Sequence, residues 1–486
     1  MLEKYFKKYR DNVIGVDQDF ETPFGKQKIL YADWTASGRL YKPIEEKLMN
    51  NIAPFVGNTH TETSVTGSTM TRAYHEALHI IKKHVGAGPE DIIISSNSGM
   101  TGVVNKFQRI LGLKIHEKHR DCIKLIEEEK PIVFITHMEH HSNQTSWLET
   151  LVDVEIIPHN DLGLVDLEGF SELLKKYETR KNKIAAVTSC SNVTGIITPY
   201  LEISEIIHAA GGLCFVDFAC SAPYIPINMH PENNAQKLDA IFFSPHKFLG
   251  GPGTTGILVF CSSLYDNKIP DNPGGGTVDW TNPWGGHKYV DDIEAREDGG
   301  TPAFLQTIKV GLCVKLKEEI TSEKMLQREE EMLKIIWDGF DKLENLHVLA
   351  GHIRERLGVI SFYVDDLHFN LAVRLLNDRF GIQVRGGCSC AGTYGHFLLH
   401  VDKHRSKSIT DKINDGDLSE KPGWVRLSIN PVMSDEEVHF IVQAITDLCN
   451  NHKAWAKDYT YDVHSNEFYH KNSVDLEEVL VSNWFK

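Results

Sequence analysis

Apolar and polar positions alternate regularly between about residue 91 and residue 243. Short apolar runs, each typical of a buried strand, are separated by longer stretches with the spacing of amphipathic helices. The predicted strands lie at 92–94, 132–135, 154–157, 184–187, 214–216 and 241–243, and the predicted helices include 103–113, 167–177 and 202–210. This alternation predicts an α/β fold with a mostly parallel sheet and helices on both faces. Ligands of such sheets bind beyond the carboxyl ends of the strands.

The C-terminal part of the chain has a different pattern, which predicts a smaller α+β domain. Its predicted strands lie at 358–364, 382–385 and 425–429, and its predicted helices at 368–379 and 435–450. We therefore expect a segment 1–25 that packs on the small domain, a large domain 26–305 and a small domain 306–486. The small domain contains a polar insertion at 403–421, expected to be flexible, and a tail at 455–486.

Composition and charge narrow the classes of function. A net charge of −16 argues against nucleic-acid binding through a basic face. No apolar run reaches the eighteen residues of a membrane span, and no secretory signal is visible at the start, so we expect a cytoplasmic protein. Nine cysteines, an odd number, are typical of reduced thiols. Cys388 and Cys390 lack a second pair at zinc spacing, so no metal site is expected.

Lys247 stands between a buried strand and a glycine-rich turn. The apolar run 238–243 precedes it, and glycines at positions between 250 and 256 follow it. An ammonium at the end of a buried strand loses water, which favours the neutral amine that forms a Schiff base with an aldehyde. Ser244 and His246 can hydrogen-bond a phosphate and a ring substituent. The stretch around Lys247 is therefore the leading candidate for a catalytic site that forms a Schiff base.

Two other strand ends carry polar groups that could bind a ligand with a phosphate. Residues 99–101 open a helix after the first strand, and their N–H groups together with the Thr101 hydroxyl suit a phosphate. Asp217 ends the strand at 214–216, where a helix N-cap is the alternative interpretation of the carboxylate.

The segment 244–252, Ser-Pro-His-Lys-Phe-Leu-Gly-Gly-Pro, resembles the lysine motif of the class V, fold type I, pyridoxal-phosphate enzymes. The most similar group is the cysteine desulfurase and selenocysteine lyase family, and the likeness runs from about residue 31 to about residue 447. It implies a large domain with a seven-stranded, mostly parallel sheet, a smaller α+β domain, and pyridoxal 5'-phosphate as the cofactor. It also implies a homodimer with composite active sites.

The resemblance assigns roles to residues that match the family's motifs. His140 would lie against the pyridine ring, Asp217 would pair with the ring nitrogen, and Thr301 would reach the phosphate in the neighbouring subunit. The full set implied for the cofactor is Gly99, Met100, Thr101, His140, Asn192, Asp217, Cys220, Ser244, His246, Lys247 and Thr301. Met100 and Cys220 depart from the residues that many members carry.

The segment 385–392, Arg-Gly-Gly-Cys-Ser-Cys-Ala-Gly, separates subfamilies. Arg385 precedes Cys390 by five residues, as in desulfurases similar to the Suf type, and Cys388 is additional. A nearby guanidinium favours the thiolate. Arg426 matches the arginine that holds the substrate α-carboxylate, with Asn192, Arg385 and His60 as further substrate-binding candidates.

The sequence therefore predicts an enzyme that releases sulfur from cysteine and leaves alanine, with Lys247, His140, Asp217 and Cys390 as the catalytic residues. A sulfur-accepting protein is an expected partner. Two alternatives stay open. One is another class V reaction on a different amino acid, by an aminotransferase, C–S lyase or epimerase. The other is a non-catalytic scaffold or sulfur-relay protein.

Overall fold

The computed structural model of the protein describes residues 2–59, 61–472 and 476–486. The helices are α1 (Leu2–Arg10), α2 (Lys42–Lys47), α3 (Val65–His84), α4 (Gly99–Ile110), α5 (His141–Leu148), α6 (Leu167–Lys175), α7 (Tyr200–Ala209), α8 (Ile293–Glu297), α9 (Phe304–Ile320), α10 (Ser322–Phe340), α11 (Phe369–Phe380), α12 (Gly392–Leu398), α13 (Lys403–Asn414), α14 (Asp435–Trp455) and α15 (Leu476–Trp484). Across these described ranges, no helix is both long enough and apolar enough to span a bilayer.

The strands complete the secondary structure. They are β1 (Asp19–Thr22), β2 (Gly25–Lys28), β3 (Leu30–Tyr31), β4 (Asp91–Ser96), β5 (Ile132–Ile135), β6 (Asp153–Ile156), β7 (Lys183–Thr188), β8 (Leu213–Asp217), β9 (Ala240–Phe243), β10 (Gly256–Cys261), β11 (Val278–Thr281), β12 (His287–Tyr289), β13 (Leu346–Val348), β14 (Val359–Val364), β15 (Ile382–Gln383), β16 (Arg385–Gly387), β17 (Trp424–Ser428), β18 (Tyr459–Asp462) and β19 (Glu467–His470).

The chain divides into two compact units. Unit 1 comprises Met1–Ala36, Asn192–Ile196 and Lys324–Lys486, and unit 2 comprises Ser37–Ser191 and Ile197–Glu323. The predicted domain boundaries at 25/26 and 305/306 stay a prediction; the second of them falls inside α9, which runs from Phe304 to Ile320.

Unit 2 is built on a seven-stranded sheet with the strand order β4-β10-β9-β8-β7-β5-β6. β10 runs antiparallel to both neighbours, and the other neighbouring strands pair in parallel. The predicted α/β class with a mostly parallel sheet is confirmed. All six predicted strands are present, whereas β10 was not predicted.

Aromatic side chains fill the core under this sheet. Phe107 on α4 packs against Phe215 on β8 and Phe260 on β10, with ring centroids 5.1 and 5.0 Å apart. Trp147 on α5 stacks on Phe215 and donates its indole N–H to Asn143 at 3.1 Å. These side chains are completely buried, so burial of their large apolar surface fixes α4 and α5 against the sheet.

Unit 1 contains a four-stranded sheet with the order β13-β14-β17-β16, and α11 and α14 pack together. α14 begins with a capping box between Ser434 and Glu437, which satisfies two backbone N–H groups at the helix start. Arg10 on α1 forms a bidentate ion pair with Glu437 at 2.6 and 2.7 Å. The N-terminal helix is thereby attached to the rest of unit 1.

Much of the polar segment 403–421, which was predicted to be a flexible insertion, is helical as α13. Asp402 caps α13 by accepting a hydrogen bond from the Arg405 N–H, and Ile409 is buried. Ser406 is bonded to the His396 ring at 2.8 Å. The N-cap and the burial of Ile409 both favour this helix.

We expect Trp147→Ala to destabilise the protein by about 3–5 kcal/mol, because it leaves a large cavity against Phe215. Urea unfolding followed by far-ultraviolet circular dichroism measures the change. Trp284→Ala is the matched control, since that side chain is 87% exposed and its loss should cost less than about 0.5 kcal/mol. Equal losses for the two variants would contradict the proposed core.

Candidate active site

Three predicted site segments lie at one edge of the unit 2 sheet. Because β4, β8 and β9 run in the same direction, the turns that follow them leave the sheet at the same edge. β4 leads into Gly99, β8 ends at Asp217, and β9 is followed by Ser244 and Lys247. The sheet therefore brings together residues that are up to 148 positions apart in the sequence (99 to 247).

The turn before α4 is tied to the turn after β9. The Met100 backbone N–H donates to Ser244 Oγ at 2.9 Å, and Ser244 is buried. Gly99 has a φ of 59°, which a glycine adopts without strain. A Cβ on Gly256 of β10 would lie 2.1 Å from the Gly99 carbonyl oxygen, so only glycine allows this approach. The predicted phosphate site is therefore a compact turn, and its Met100 N–H is already bonded to Ser244.

Lys247 ends a single helical turn, Pro245–Lys247. Its N–H bonds to the Ser244 carbonyl at 3.1 Å. Gly38 donates its N–H to the His246 carbonyl at 2.9 Å, and a Cβ on Gly38 would lie 1.9 Å from the Phe248 carbonyl oxygen. The segment beginning at Ser37 therefore lies directly against the lysine turn, and its close approach depends on a glycine.

Asp217, the last residue of β8, is a buried carboxylate. It is 3% exposed and accepts the Ala219 N–H at 2.7 Å. Burial raises the pKa of Asp217 to about 6, while the Ala219 hydrogen bond and the positive charge of Lys247 act in the opposite direction. A cation placed next to this buried carboxylate would stabilise its ionised form.

Glu139 is a second buried carboxylate, which the sequence analysis had not assigned to the site. It accepts hydrogen bonds from Thr136, Asn143 and the Thr188 N–H. Burial raises its pKa to about 7, and the nearby charge of Asp217 adds to the shift. Its place after β5, four residues before Asn143, was the available sequence signal.

His140 caps α5 and is half-buried. Its Nδ1 accepts the Ser142 N–H at 3.1 Å, so the neutral ring carries its proton on Nε2. The Ser142 hydroxyl lies 2.6 Å from the Thr101 hydroxyl. Thr101 is exposed and linked to the His140 turn, which places two predicted cofactor residues side by side.

The remaining predicted residues of unit 2 differ in their burial. Burial lowers the pKa of His246 to about 4, so this imidazole is neutral. Cys220 is buried, and its thiol lies 3.7 Å from the Ser191 carbonyl. Thr301 is exposed in the loop before α9. His60 lies outside the described residues.

A second group of predicted residues lies in unit 1. Arg426 on β17 is 2% exposed and forms an ion pair with Asp33 at 2.7 Å. It also donates to the Asn192 carbonyl at 3.3 Å. Asn192 donates its side-chain amide to the Ser389 carbonyl at 2.8 Å. The predicted carboxylate-binding arginine is thus connected through Asn192 to the cysteine loop.

The cysteine loop has a constrained backbone. Ser389 and Cys390 have φ values of 52° and 56°, which side-chain-bearing residues adopt at a cost. Ser389 is buried, whereas Cys390 is exposed and Cys388 is half-buried. Arg385 on β16 is exposed and lies directly opposite Arg426 on β17. The loop holds Cys390 outward while fixing the residue before it.

Asp33 and Ser389 were missed as site residues. Asp33 lies between Ala32 and Trp34, just after β3. Ser389 stands between the two cysteines. Nothing in their local sequence indicates that one would pair with Arg426 and the other with Asn192, because both contacts join distant parts of the chain.

We expect Asp217→Asn to stabilise the cofactor-free protein at pH 8. The raised pKa means that the folded state favours protonated Asp217, so its contribution to stability is present below pH 4 and is lost as the pH rises through about 6. Asparagine does not ionise, so the variant should exceed wild type by about 2–3 kcal/mol at pH 8, with the gap closing below pH 4.

Urea unfolding between pH 4 and pH 8 measures this difference. Asp161→Asn, at an exposed loop position, is the control and should leave the pH profile unchanged. A constant difference between Asp217→Asn and wild type across the pH range would contradict the assignment.

Comparison of the sequence with known proteins shows the family of the chain. A model of the family "Aminotransferase class-V" matches residues 30–441. A probable cysteine desulfurase of Halalkalibacterium halodurans is 27% identical over 75% of this chain and 84% of its own length. One of Pyrococcus abyssi is 25% identical over 87% of this chain and 94% of its own.

Solved structures agree on the fold. The apo structure of a cysteine desulfurase from Thermococcus onnurineus has a TM-score of 0.72 and 22% identity, and the match covers 91% of this chain and 98% of that one. The predicted fold type I architecture and the predicted likeness to cysteine desulfurases are confirmed. The chain belongs to the aminotransferase class-V family.

Proposed function

We propose that the protein is a pyridoxal-phosphate-dependent, cysteine desulfurase-like enzyme that converts cysteine to alanine and retains the sulfur on Cys390. The main support is that the buried Asp217 and Lys247 follow the neighbouring strands β8 and β9 at one sheet edge, where Ser244 meets the turn before α4. The similarity to probable cysteine desulfurases supports the choice of reaction.

The residues present fit this cofactor. Asp217 is buried with a raised pKa, so a protonated ring nitrogen would supply the cation that the site favours. The start of α4, with Gly99 and the Thr101 hydroxyl, is suited to a phosphate. Neutral His246 adds hydrogen-bonding surface without a competing charge, and the His140 ring, whose Nδ1 accepts the Ser142 N–H, adds an aromatic face.

Bound pyridoxal phosphate supplies an aldehyde that condenses with amines and a ring that accepts electrons from the substrate α-carbon. Asp217 holds the proton on the ring nitrogen. Lys247 binds the cofactor through its amine and accepts the substrate α-proton as a general base. Arg426 binds the substrate α-carboxylate, and Asn192 orients the adjoining loop.

Cys390 takes the sulfur in this proposal. Its thiolate attacks the substrate sulfur, a sulfur–sulfur bond forms as the carbon–sulfur bond breaks, and alanine leaves after protonation of the carbon. The exposure of Cys390 supports its role over that of Cys388, because an outward thiol can also pass sulfur to an acceptor protein.

The assembly and location are part of the same proposal. We propose a homodimer in which Thr301 completes the phosphate site of the partner subunit; its exposure in a loop supports this role. In the part of the chain that the structure describes, no two of the nine cysteines form a disulfide, which supports a reducing compartment such as the cytoplasm.

Lys247→Ala should abolish the visible absorbance band of lysine-bound cofactor and lower alanine formation from cysteine by about 10²–10⁴-fold, since the variant lacks the amine that binds the cofactor and accepts the proton. Absorbance spectra and amino-acid analysis measure both effects. Lys237→Ala, a change to a partly exposed lysine before β9, is the control and should retain both. Unchanged alanine formation in Lys247→Ala would exclude the proposed reaction.

Cys390→Ala should keep the cofactor absorbance while desulfurase turnover falls by a factor on the order of 10³ or more. Cys388→Ala is the matched control and should retain most of the turnover. Sulfide, pyruvate and alanine are measured together. Sulfide with pyruvate in place of alanine would indicate a C–S lyase, and undiminished turnover in Cys390→Ala would eliminate the covalent step.

A further inference from the structure

We propose that Asp33 is the resident counter-ion of Arg426 and that a carboxylate ligand of this arginine displaces it. The inference rests on the proposed function in one respect, the choice of a small amino acid as the ligand. It makes Asp33 a specificity-determining residue, because the charge at position 33 decides how strongly the site attracts a second carboxylate.

Among the described residues, Arg426 pairs with one carboxylate, and part of its guanidinium makes no hydrogen bond. Its Nη2 contacts Asp33 Oδ1 at 2.7 Å and its Nη1 donates to the Asn192 carbonyl at 3.3 Å. Within the described residues, its Nε has no hydrogen-bond partner although it is buried. A guanidinium offers five N–H donors, and the Nε–H of Arg426 is therefore available to a planar anion.

Two more polar atoms beside the arginine are buried and unpaired in the described part of the chain. They are Asn192 Oδ1 and Ser389 Oγ, and both residues are less than one-tenth exposed. Asn192 joins the two, since its carbonyl accepts from Arg426 and its amide donates to the Ser389 carbonyl. Buried unpaired groups are costly, so three in one connected cluster point to a ligand.

The chemistry of these atoms defines the ligand. Arg426 Nε donates and favours a carboxylate, Asn192 Oδ1 accepts and favours an N–H or O–H, and Ser389 Oγ can do either. A small molecule that carries a carboxylate next to a hydrogen-bond donor satisfies all three. An α-amino acid has this composition.

Asp33 is the partner that can move. Its side chain is 17% exposed, whereas that of Arg426 is 3% exposed. A second carboxylate on Arg426 would lie near Asp33, and two carboxylates sharing one guanidinium repel each other. Rotation of Asp33 toward solvent costs little for a partly exposed carboxylate, while Arg426 keeps a counter-ion throughout.

The backbone around Asp33 is held independently of its side chain. Asp33 forms an isolated bridge with Ser428, and the Ser428 hydroxyl accepts the Thr35 N–H at 3.0 Å. The Ser428 N–H bonds to the Ala32 carbonyl at 2.8 Å. The exchange of carboxylates therefore requires only a change of side-chain rotamer.

The test is Asp33→Asn with 3-mercaptopropionate, which has the carboxylate and thiol of cysteine but no amine to react with a cofactor. Isothermal titration calorimetry on the holoenzyme measures its dissociation constant. We expect binding about tenfold tighter or more in Asp33→Asn, because asparagine retains a hydrogen-bond acceptor but removes the competing charge. Unchanged or weaker binding, or no binding to wild type, would overturn the proposal.

Asp435→Asn is the matched control. Asp435 pairs with Arg328, another buried arginine of unit 1, at 2.7 Å. This variant removes the same kind of charge from the same kind of pair, so it should lower stability without changing the affinity for 3-mercaptopropionate. An equal gain in affinity for both variants would show a general effect of net charge and overturn the assignment.

A second measurement does not depend on the folding of the variant. In a crystal structure of wild-type protein with 3-mercaptopropionate, Asp33 should lie beyond hydrogen-bond distance of Arg426, and an intact ion pair would overturn the exchange. Alanine formation from cysteine is assayed separately. Its absence would contradict the proposed function, while the calorimetric result would still decide the role of Asp33.

Discussion

A carboxylate sealed from water at the end of a central strand is the constraint on which the rest of the site depends. Asp217 loses hydration, and one backbone N–H and the charge of Lys247 offset only part of that loss. Glu139 adds a second negative charge nearby, although its hydrogen bonds to Thr136, Asn143 and Thr188 hold it in place. Because these negative charges are only partly compensated, a cation bound at this edge of the sheet would be stabilised.

Helix α9 supports the turns around these charges. Lys317 donates to the Ala222 and Ile225 carbonyls at 2.7 and 2.6 Å, in the turn that follows Asp217. Lys309 donates to the Pro252 carbonyl at 2.8 Å, in the glycine-rich turn after Lys247. Burial lowers the pKa of Lys317 to about 7. One helix thus fixes both turns through lysines that bond to backbone carbonyls.

The group in unit 1 follows a different principle. Arg426, Asn192 and Ser389 form a chain of hydrogen bonds in which several polar atoms stay unpaired. The strained backbone at Ser389 and Cys390 fits this pattern, because strain and unpaired polar groups persist where a ligand compensates for them. The group in unit 2 is thus dominated by buried charges, whereas the group in unit 1 is dominated by unpaired hydrogen-bonding atoms.

The sequence by itself determined the alternation of strands and helices, and through it the α/β class, because the spacing of apolar residues is a local property. It also marked Lys247, Asp217 and Gly99, since each stands at a strand end or helix start with a recognisable local motif. It did not reveal β10, which runs against its neighbours, or the helix at Lys403–Asn414. The partners of Arg426 and Glu139 were decided only by the tertiary structure, because Asp33 and Thr188 reach them through strand pairing and packing between distant segments.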